Sequence, residues 1–356
     1  MTATTDEDQM REAIAVASTA RRAVSPRPWV GAVVVAVDGR TFAGATDGRA
    51  GLHAEVAALR AAGDAAAGAT IFVTLEPCAH HGRTGPCADA VIAADVRRCV
   101  VAIEDPDPQV AGQGLARLRK AGVEVEVGLL GADVEAQLAP YLTHRRTGRP
   151  YVVLKLAATL DGGTAAPDGS SQWITGAEAR ADAHRLRADS DAIVVGAGTV
   201  RSDDPSLTVR LPVGEADDVE PLRVVLGRAP ATAKVHPCVE HTGPLDVLLD
   251  DLGERGVLQV MVEGGASVAA DFHRAGLVDR YVTYLAPALF GGDDARGLFA
   301  GPGAGTIADV WRGRVVDVVR LGGDLRIDVV PDGSPEGFAG RGDDEIRGDG
   351  PREGAS

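Results

Sequence analysis

His53-Ala54-Glu55, followed by Pro77-Cys78-Ala79-His80-His81-Gly82-Arg83-Thr84-Gly85-Pro86-Cys87, places one imidazole and two thiols where two helices are expected to begin. One neutral imidazole and two thiolates form a three-ligand zinc site that leaves a fourth position for water. Zinc draws the pKa of that water toward neutrality. Glu55 lies two residues from His53, close enough to move protons beside the metal without ligating it. A helix N-terminus at each place favours thiolate and other negative charge. Two alternatives stay open on these residues alone: a structural zinc completed by His80 or His81, and a pair of cysteines that only pack. Cys99 and Cys238 read as core or surface thiols, and His144 and His184 as solvated helix residues.

Outward from this motif the hydrophobic pattern alternates. A helix over 6–24, with Met10, Ile14 and Ala17 on one face, precedes a strand over 30–37 that ends at Asp38-Gly39. Helices after His53 and near Cys87, strands over 69–75 and 98–103, a helix over 115–121 and a strand over 123–127 follow. A helix over 133–146 closes this half. Such alternation predicts an α/β layered domain. A second alternation runs from an apolar strand over 151–157 through a helix over 177–188 and strands over 192–195, 222–226 and 258–262. It ends with a helix over 267–275 and strands within 280–289 and 314–330. The expected division is 1–147, 148–331 and a disordered tail over 332–356, rich in glycine and charge with little to bury.

The 356 residues are 45% hydrophobic and 24% charged, which suits an ordinary globular chain with two cores. A formal net charge of −15 argues against non-specific binding to nucleic acid or to anionic membrane. No apolar run approaches the roughly 18 residues of a membrane span. The polar, acidic start does not read as a signal peptide, and four cysteines make no disulfide framework, so a cytoplasmic setting is expected.

The second half carries its own glycine and arginine signals. Gly264-Gly265 falls between a buried strand and a helix, where bare amides and the helix dipole can hold a cofactor phosphate. Gly196-x-Gly198 offers a similar approach, but the third glycine of a Rossmann fingerprint is missing. Arg187 and Arg210 can clamp a phosphate in bidentate fashion. Lys155 sits inside an apolar strand, a costly place for a charge without a partner, and reads as an anion contact or proton donor.

The stretch from Thr74 to Cys87, with eight residues between the cysteines rather than two, resembles the bifunctional deaminase–reductase family of riboflavin biosynthesis. So does Asp105-Pro106-Asp107-Pro108-Gln109-Val110-Ala111-Gly112. Lys155-Leu156-Ala157-Ala158-Thr159-Leu160-Asp161-Gly162, Ser171-Gln172-Trp173-Ile174-Thr175 and Asp203-Asp204-Pro205-Ser206-Leu207-Thr208-Val209-Arg210 are similar to its reductase half. The resemblance implies a cytidine-deaminase-like three-layer domain followed by a dihydrofolate-reductase-like domain. It implies one zinc per chain, held by His53, Cys78 and Cys87, with Glu55 as catalytic acid and base, and NADPH as second cofactor. Ala157, Trp173, Thr199, Asp203 and the run Gly265, Ala266, Ser267, Val268, Ala269, Ala270 and Asp271 would line the NADPH site. Ser171, Arg187, Leu207, Arg210 and Glu263 would face the substrate, a phosphorylated pyrimidine, as would Lys155. Arg83 would contact it in the deaminase half, with His80 and His81 as further candidates. Association of copies through the reductase half is a further implication. The chain departs from the family at Arg27, where asparagine is usual, at Gly163, and at Gly227-Arg228. A paralogue with one activity, and a zinc-stabilised regulatory module without turnover, are the rival readings.

Overall fold

The computed structural model describes residues 4–81, 85–107, 110–211 and 220–334. Arg83 and most of the expected tail lie outside the described residues. The first helix, α1 (Asp6–Val24), starts at Thr5, whose side chain accepts from the Asp8 amide while Asp8 accepts from the Thr5 amide. This reciprocal cap satisfies two donors that a helix start otherwise leaves open. Met10, Ala13, Ala17, Ala20 and Val24 form its buried stripe.

The first sheet holds β1 (Gly31–Val35), β2 (Thr41–Ala45), β3 (Thr70–Leu75), β4 (Arg98–Ile103) and β5 (Glu124–Val127), in the order β2-β1-β3-β4-β5. Strand β1 runs antiparallel to β2 and β3, and β3, β4 and β5 run parallel. Helices α2 (Ala54–Ala62), α3 (Cys87–Ala93) and α4 (Gln113–Lys120) pack together on one face, and α1 and α5 (Gly131–Gln137) on the other. Three layers result, with near-continuous apolar strands β3 and β4 at the centre, as burial on both faces requires. Strand β2 was not expected, because its edge position leaves its pattern mostly exposed. The single helix expected over 133–146 is two, α5 and α6 (Ala139–Thr147). Pro140 opens the second, where its missing N–H costs nothing.

The second sheet contains β6 (Tyr151–Thr159), β8 (Ala192–Gly196), β9 (Leu222–Leu226), β10 (Val239–His241), β11 (Gln259–Val262), β12 (Arg280–Ala286), β14 (Gly313–Leu321) and β15 (Asp324–Pro331). Its order is β10-β9-β8-β11-β6-β12-β15-β14, parallel through β12 and antiparallel at β15 and β14. Short β7 (Gly163–Ala165) and β13 (Arg296–Gly297) pair beside it. Helices α7 (Ala177–Ala188), α8 (Ala197–Asp203), α9 (Leu245–Glu254) and α10 (Ala266–Arg274) supply the crossovers. A buried polar cluster ties α7 to the sheet: Tyr284 and Arg326 both donate to Asp182, and Arg326 and Arg280 both donate to Asp328. The two halves meet through Arg22–Asp189 at 2.8 Å and His144 Nε2 at 2.9 Å from the Gly253 carbonyl, while Arg149, just before β6, pairs with Asp250 of α9 at 2.5 Å within the second half. His144, expected in solvent, is thus an inter-sheet contact.

Candidate active sites

The zinc-ligand candidates come from three elements that end at one place. His53 caps α2 in extended backbone, Cys78 follows the carboxyl end of β3, and Cys87 is the first residue of α3. His53 Nδ1 lies 3.7 Å from Cys78 Sγ and 3.2 Å from Cys87 Sγ, and the three ligand atoms fall within 4.8 Å of one another. The Cys87 amide donates to Cys78 Sγ at 3.4 Å. Hydrogen bonding from the Cys87 thiol holds Cys78 down at about 4, while the same bond and burial push Cys87 far up. Ionisation of Cys78 thus opposes that of Cys87. A divalent cation removes that conflict, because it takes both as thiolates. Among the described residues no fourth ligand joins the three, and His80 and His81 are exposed, which leaves the open coordination of a catalytic rather than a structural zinc.

Glu55, in the first turn of α2, is 3% exposed, and burial lifts its carboxyl to about 7 against the opposing pull of His53. It borders a cavity of about 330 Å³ together with His53, Cys78, Arg27, Asp105 and Arg145. Arg27 Nη1 donates to the Gly48 and Gly51 carbonyls, pinning the loop that leads into His53. Glu76, absent from the expectations, organises the opposite wall. Its Oε2 accepts from the Asp105 and Gly112 amides at 3.3 and 2.9 Å, and its Oε1 from Gly114 and Leu115 at 2.9 and 3.3 Å. A side chain at Gly114 would come within 1.8 Å of the Pro77 carbonyl, so only glycine lets the backbones approach this closely. Tyr141 reaches over from α6 to donate to Asp105.

The second constellation gathers at the carboxyl ends of β6, β8 and β11. Arg187 donates to Glu263 Oε2 and to the Thr208 carbonyl, each at 2.7 Å, so α7, the end of β11 and the 206–210 segment are tied together. Arg210 donates to Ser206 Oγ at 3.1 Å. His184, one turn from Arg187, is half-buried with no partner for Nδ1. Burial and the Arg187 charge lower its pKa, so it is a neutral imidazole beside the site and not the solvated residue expected. Lys155 on β6 projects toward the Tyr284 ring, 5.8 Å from its centroid. Ala157 lies on the same strand, and Leu207 is buried.

The two glycine turns interlock. A Cβ on Gly196 would meet Val268 at 2.9 Å, and one on Gly264 would meet it at 2.3 Å. Thr199 Oγ1 faces Gly265 across the gap. Only the start of the expected 265–271 run exposes free amides. The Ala269 amide already donates to the Gly265 carbonyl, Ala269 and Ala270 turn into the core, and Asp271 pairs with Arg274. Trp173 is 70% exposed with the Arg180 guanidinium 4.5 Å above it, Ser171 is exposed beside it, and Asp203 ends α8 in the open.

Comparison with known proteins supplies the decision between the readings. Residues 3–103 match the cytidine and deoxycytidylate deaminase zinc-binding region, and residues 150–325 match the RibD C-terminal domain. The riboflavin biosynthesis protein RibD of Escherichia coli is 41% identical over 91% of this chain and 99% of its own length. The chain belongs to the RibD family. The RibD family member of Mycobacterium tuberculosis H37Rv is 44% identical over 86% of this chain and 91% of its own. The structure of Acinetobacter baumannii RibD superposes with a TM-score of 0.85 at 38% identity, covering 92% of this chain and 98% of that one. The two sheets are accordingly a cytidine-deaminase-like domain and a reductase domain, and the chain is a bifunctional enzyme of riboflavin biosynthesis. Matches along both halves go against the single-activity and regulatory readings. Zinc fits the His/Cys/Cys set, and NADPH is the cofactor of the RibD family's reductase domain.

Proposed function

We propose that residues 1–147 deaminate 2,5-diamino-6-(5-phosphoribosylamino)pyrimidin-4-one and that residues 148–331 reduce the ribosyl group of the product to a ribityl chain. The observation that carries this reading is the convergence of His53, Cys78 and Cys87 beside buried Glu55 at a cavity wall. Zinc, when bound by these three residues, supplies the Lewis acidity that activates water near neutral pH. Glu55 accepts the proton of the attacking water and returns it to the departing amine. Arg145 and Arg27 border the cavity, and a guanidinium suits the phosphate end of such a substrate, with Arg83 as a further contact.

In the reductase domain the free amides of Gly265, Ala266, Ser267 and Val268 face an anionic group of the cofactor, as helix N-termini do. Ala157, Trp173, Thr199 and Asp203 complete that wall. NADPH, when bound, supplies the hydride delivered to the sugar C1. As the bond from C1 to the ring oxygen breaks, Lys155 provides the proton that this oxygen takes up. Ser171, Leu207 and Arg210 hold the substrate, and the Arg187–Glu263 pair fixes the orientation of both its members.

Copies of the chain associate through the outer edge of the second sheet. Strand β14 is the last strand there, and Val315, Val318, Trp311 and Phe299 stay exposed around it, an apolar edge that a second copy would cover. No described helix is long and apolar enough to cross a membrane. Free thiols and an acidic surface suit a cytoplasmic enzyme that binds no nucleic acid.

The test follows ammonia release and NADPH oxidation separately with the diaminopyrimidinone ribosyl phosphate, using Glu55→Gln as the comparison. The variant is expected to keep its zinc, to lose ammonia release by roughly a hundred- to ten-thousand-fold, and to oxidise NADPH normally when given the deaminated intermediate. Zinc-loaded wild-type protein that releases no ammonia from this substrate would overturn the assignment.

A further inference from the structure

The last helix of the first half, α6, belongs to both cores. Leu138, which caps it, and Tyr141 and Leu142 are buried in the core of the first half. Ala139 packs against the cluster of Tyr151, Val153 and Leu186 in the second. In return Leu258, just before β11, is buried in the core of the first half.

One face of α6 serves the zinc cavity. Tyr141 and Arg145, one turn apart, both border it. The Arg145 guanidinium lies over the Tyr141 ring, 5.1 Å from its centroid, so the ring limits where that cation can stand. The Tyr141 hydroxyl donates to the Asp105 carboxylate, 3.3 and 3.2 Å from its two oxygens. Asp105 is 6% exposed at the cavity wall, and its amide donates to Glu76. A single aromatic residue thus fixes a cation and an acid of the pocket.

The next face of the helix serves the reductase half. His144 stands about 100° round the helix from Arg145. Its Nε2 lies 2.9 Å from the Gly253 carbonyl in the last turn of α9. A carbonyl only accepts, so Nε2 carries the proton and donates it. The backbones also close tightly here: a Cβ on Gly253 would collide with the carbonyl of Gly148, the residue that caps α6. Close-packed contacts transmit displacement, so α9 sets where α6 lies and with it where Tyr141 and Arg145 stand.

We propose that Tyr141 and His144 are positioning residues of the deaminase, through which the docked reductase half holds Asp105 and Arg145 in place for the substrate. Provided that the zinc cavity is the deaminase site, substrate binding in the first half then depends on α9 of the second.

Kinetics of the zinc-loaded full chain separate positioning from folding. Misfolding lowers the active fraction and with it the apparent kcat, whereas lost binding contacts raise KM. Tyr141→Phe keeps the ring and removes the bond to Asp105. Its deaminase KM should rise on the order of tenfold, with zinc content and the reductase KM for the deaminated intermediate unchanged. His144→Ala, and Gly253→Ala in the other half, should each raise the deaminase KM about threefold or more. His144→Gln, whose amide can donate to the same carbonyl, should recover most of that loss. Hydrogen exchange at the Gly112, Gly114 and Leu115 amides, which Glu76 holds, should quicken in Tyr141→Phe, His144→Ala and Gly253→Ala. If the wild-type protein releases no ammonia from the diaminopyrimidinone ribosyl phosphate while exchange still quickens in the variants, the substrate assignment falls and the positioning through α6 stands. A deaminase KM within about twofold of wild type in Tyr141→Phe, or in both His144→Ala and Gly253→Ala, overturns the proposal, as does exchange that none of these variants alters.

Discussion

Replacing Glu76 by glutamine removes one oxygen and introduces an NH2 group where four backbone amides converge on a side chain only 4% exposed. Burial works against the charge of Glu76, but both its oxygens accept, two amides each, so the geometry is that of a carboxylate. Glutamine can serve one pair of amides, either Gly114 and Leu115 or Asp105 and Gly112, and turns a donor toward the other. Two buried N–H groups are then unsatisfied at about 1–3 kcal/mol each, a total of about 2–6 kcal/mol. For a domain of this size about 1 kcal/mol moves Tm by ~2–4 °C, so the deaminase domain should melt on the order of 10 °C lower. The wall carrying Asp105 would loosen with it, and ammonia release should fall while reduction of the deaminated intermediate is kept. Calorimetry with parallel assays of both activities checks this. A Glu76→Gln protein whose first transition stays within about 2 °C of wild type would refute the claim that this carboxylate holds the wall.

Chelation of zinc should abolish ammonia release and leave NADPH oxidation with the deaminated intermediate intact, with activity returning on adding zinc back. Arg187→Ala leaves Glu263 largely buried without its partner and releases the Thr208 carbonyl. A loss of about 2–3 kcal/mol is expected, seen as a rise of tenfold or more in the reductase KM with deamination unaffected. Asp279 lies away from both sites, and burial raises its carboxyl to about 6 while the Val152 amide opposes the shift. The folded state therefore binds the proton more tightly than the unfolded one, and this group costs stability above pH 6 that is recovered as pH falls from about 6 to about 4. Asp279→Asn keeps the acceptor for Val152 without the charge. It should be more stable than wild type at pH 8, by on the order of 1–3 kcal/mol, with the difference shrinking below pH 6, as urea unfolding at several pH values would show.

What the sequence determined by itself is local chemistry. His53 and Glu55 sit within one turn of a helix start, so their spacing alone brings ligand and proton carrier together. The thiols announce themselves by type, and continuous apolar runs mark β3, β4, β8 and β11 as central strands. Even α9 had a legible stripe in Leu245, Leu248, Leu249 and Leu252, although it was not among the expected helices. Tertiary structure decided everything that depends on residues distant in sequence meeting in space. Glu76 looks like any acid at a strand end until the 105–115 segment folds over it. His184 looks like a solvated helix residue until β6 and the end of β11 close around it with their charges. Strand β2 is an edge whose exposed pattern carries little period-two signal. The seam between the domains exists only where the end of α1 meets the strand starts of β8 and β11. The pairs across it depend on which groups docking brings near, and a linear pattern of hydrophobicity and charge does not record that.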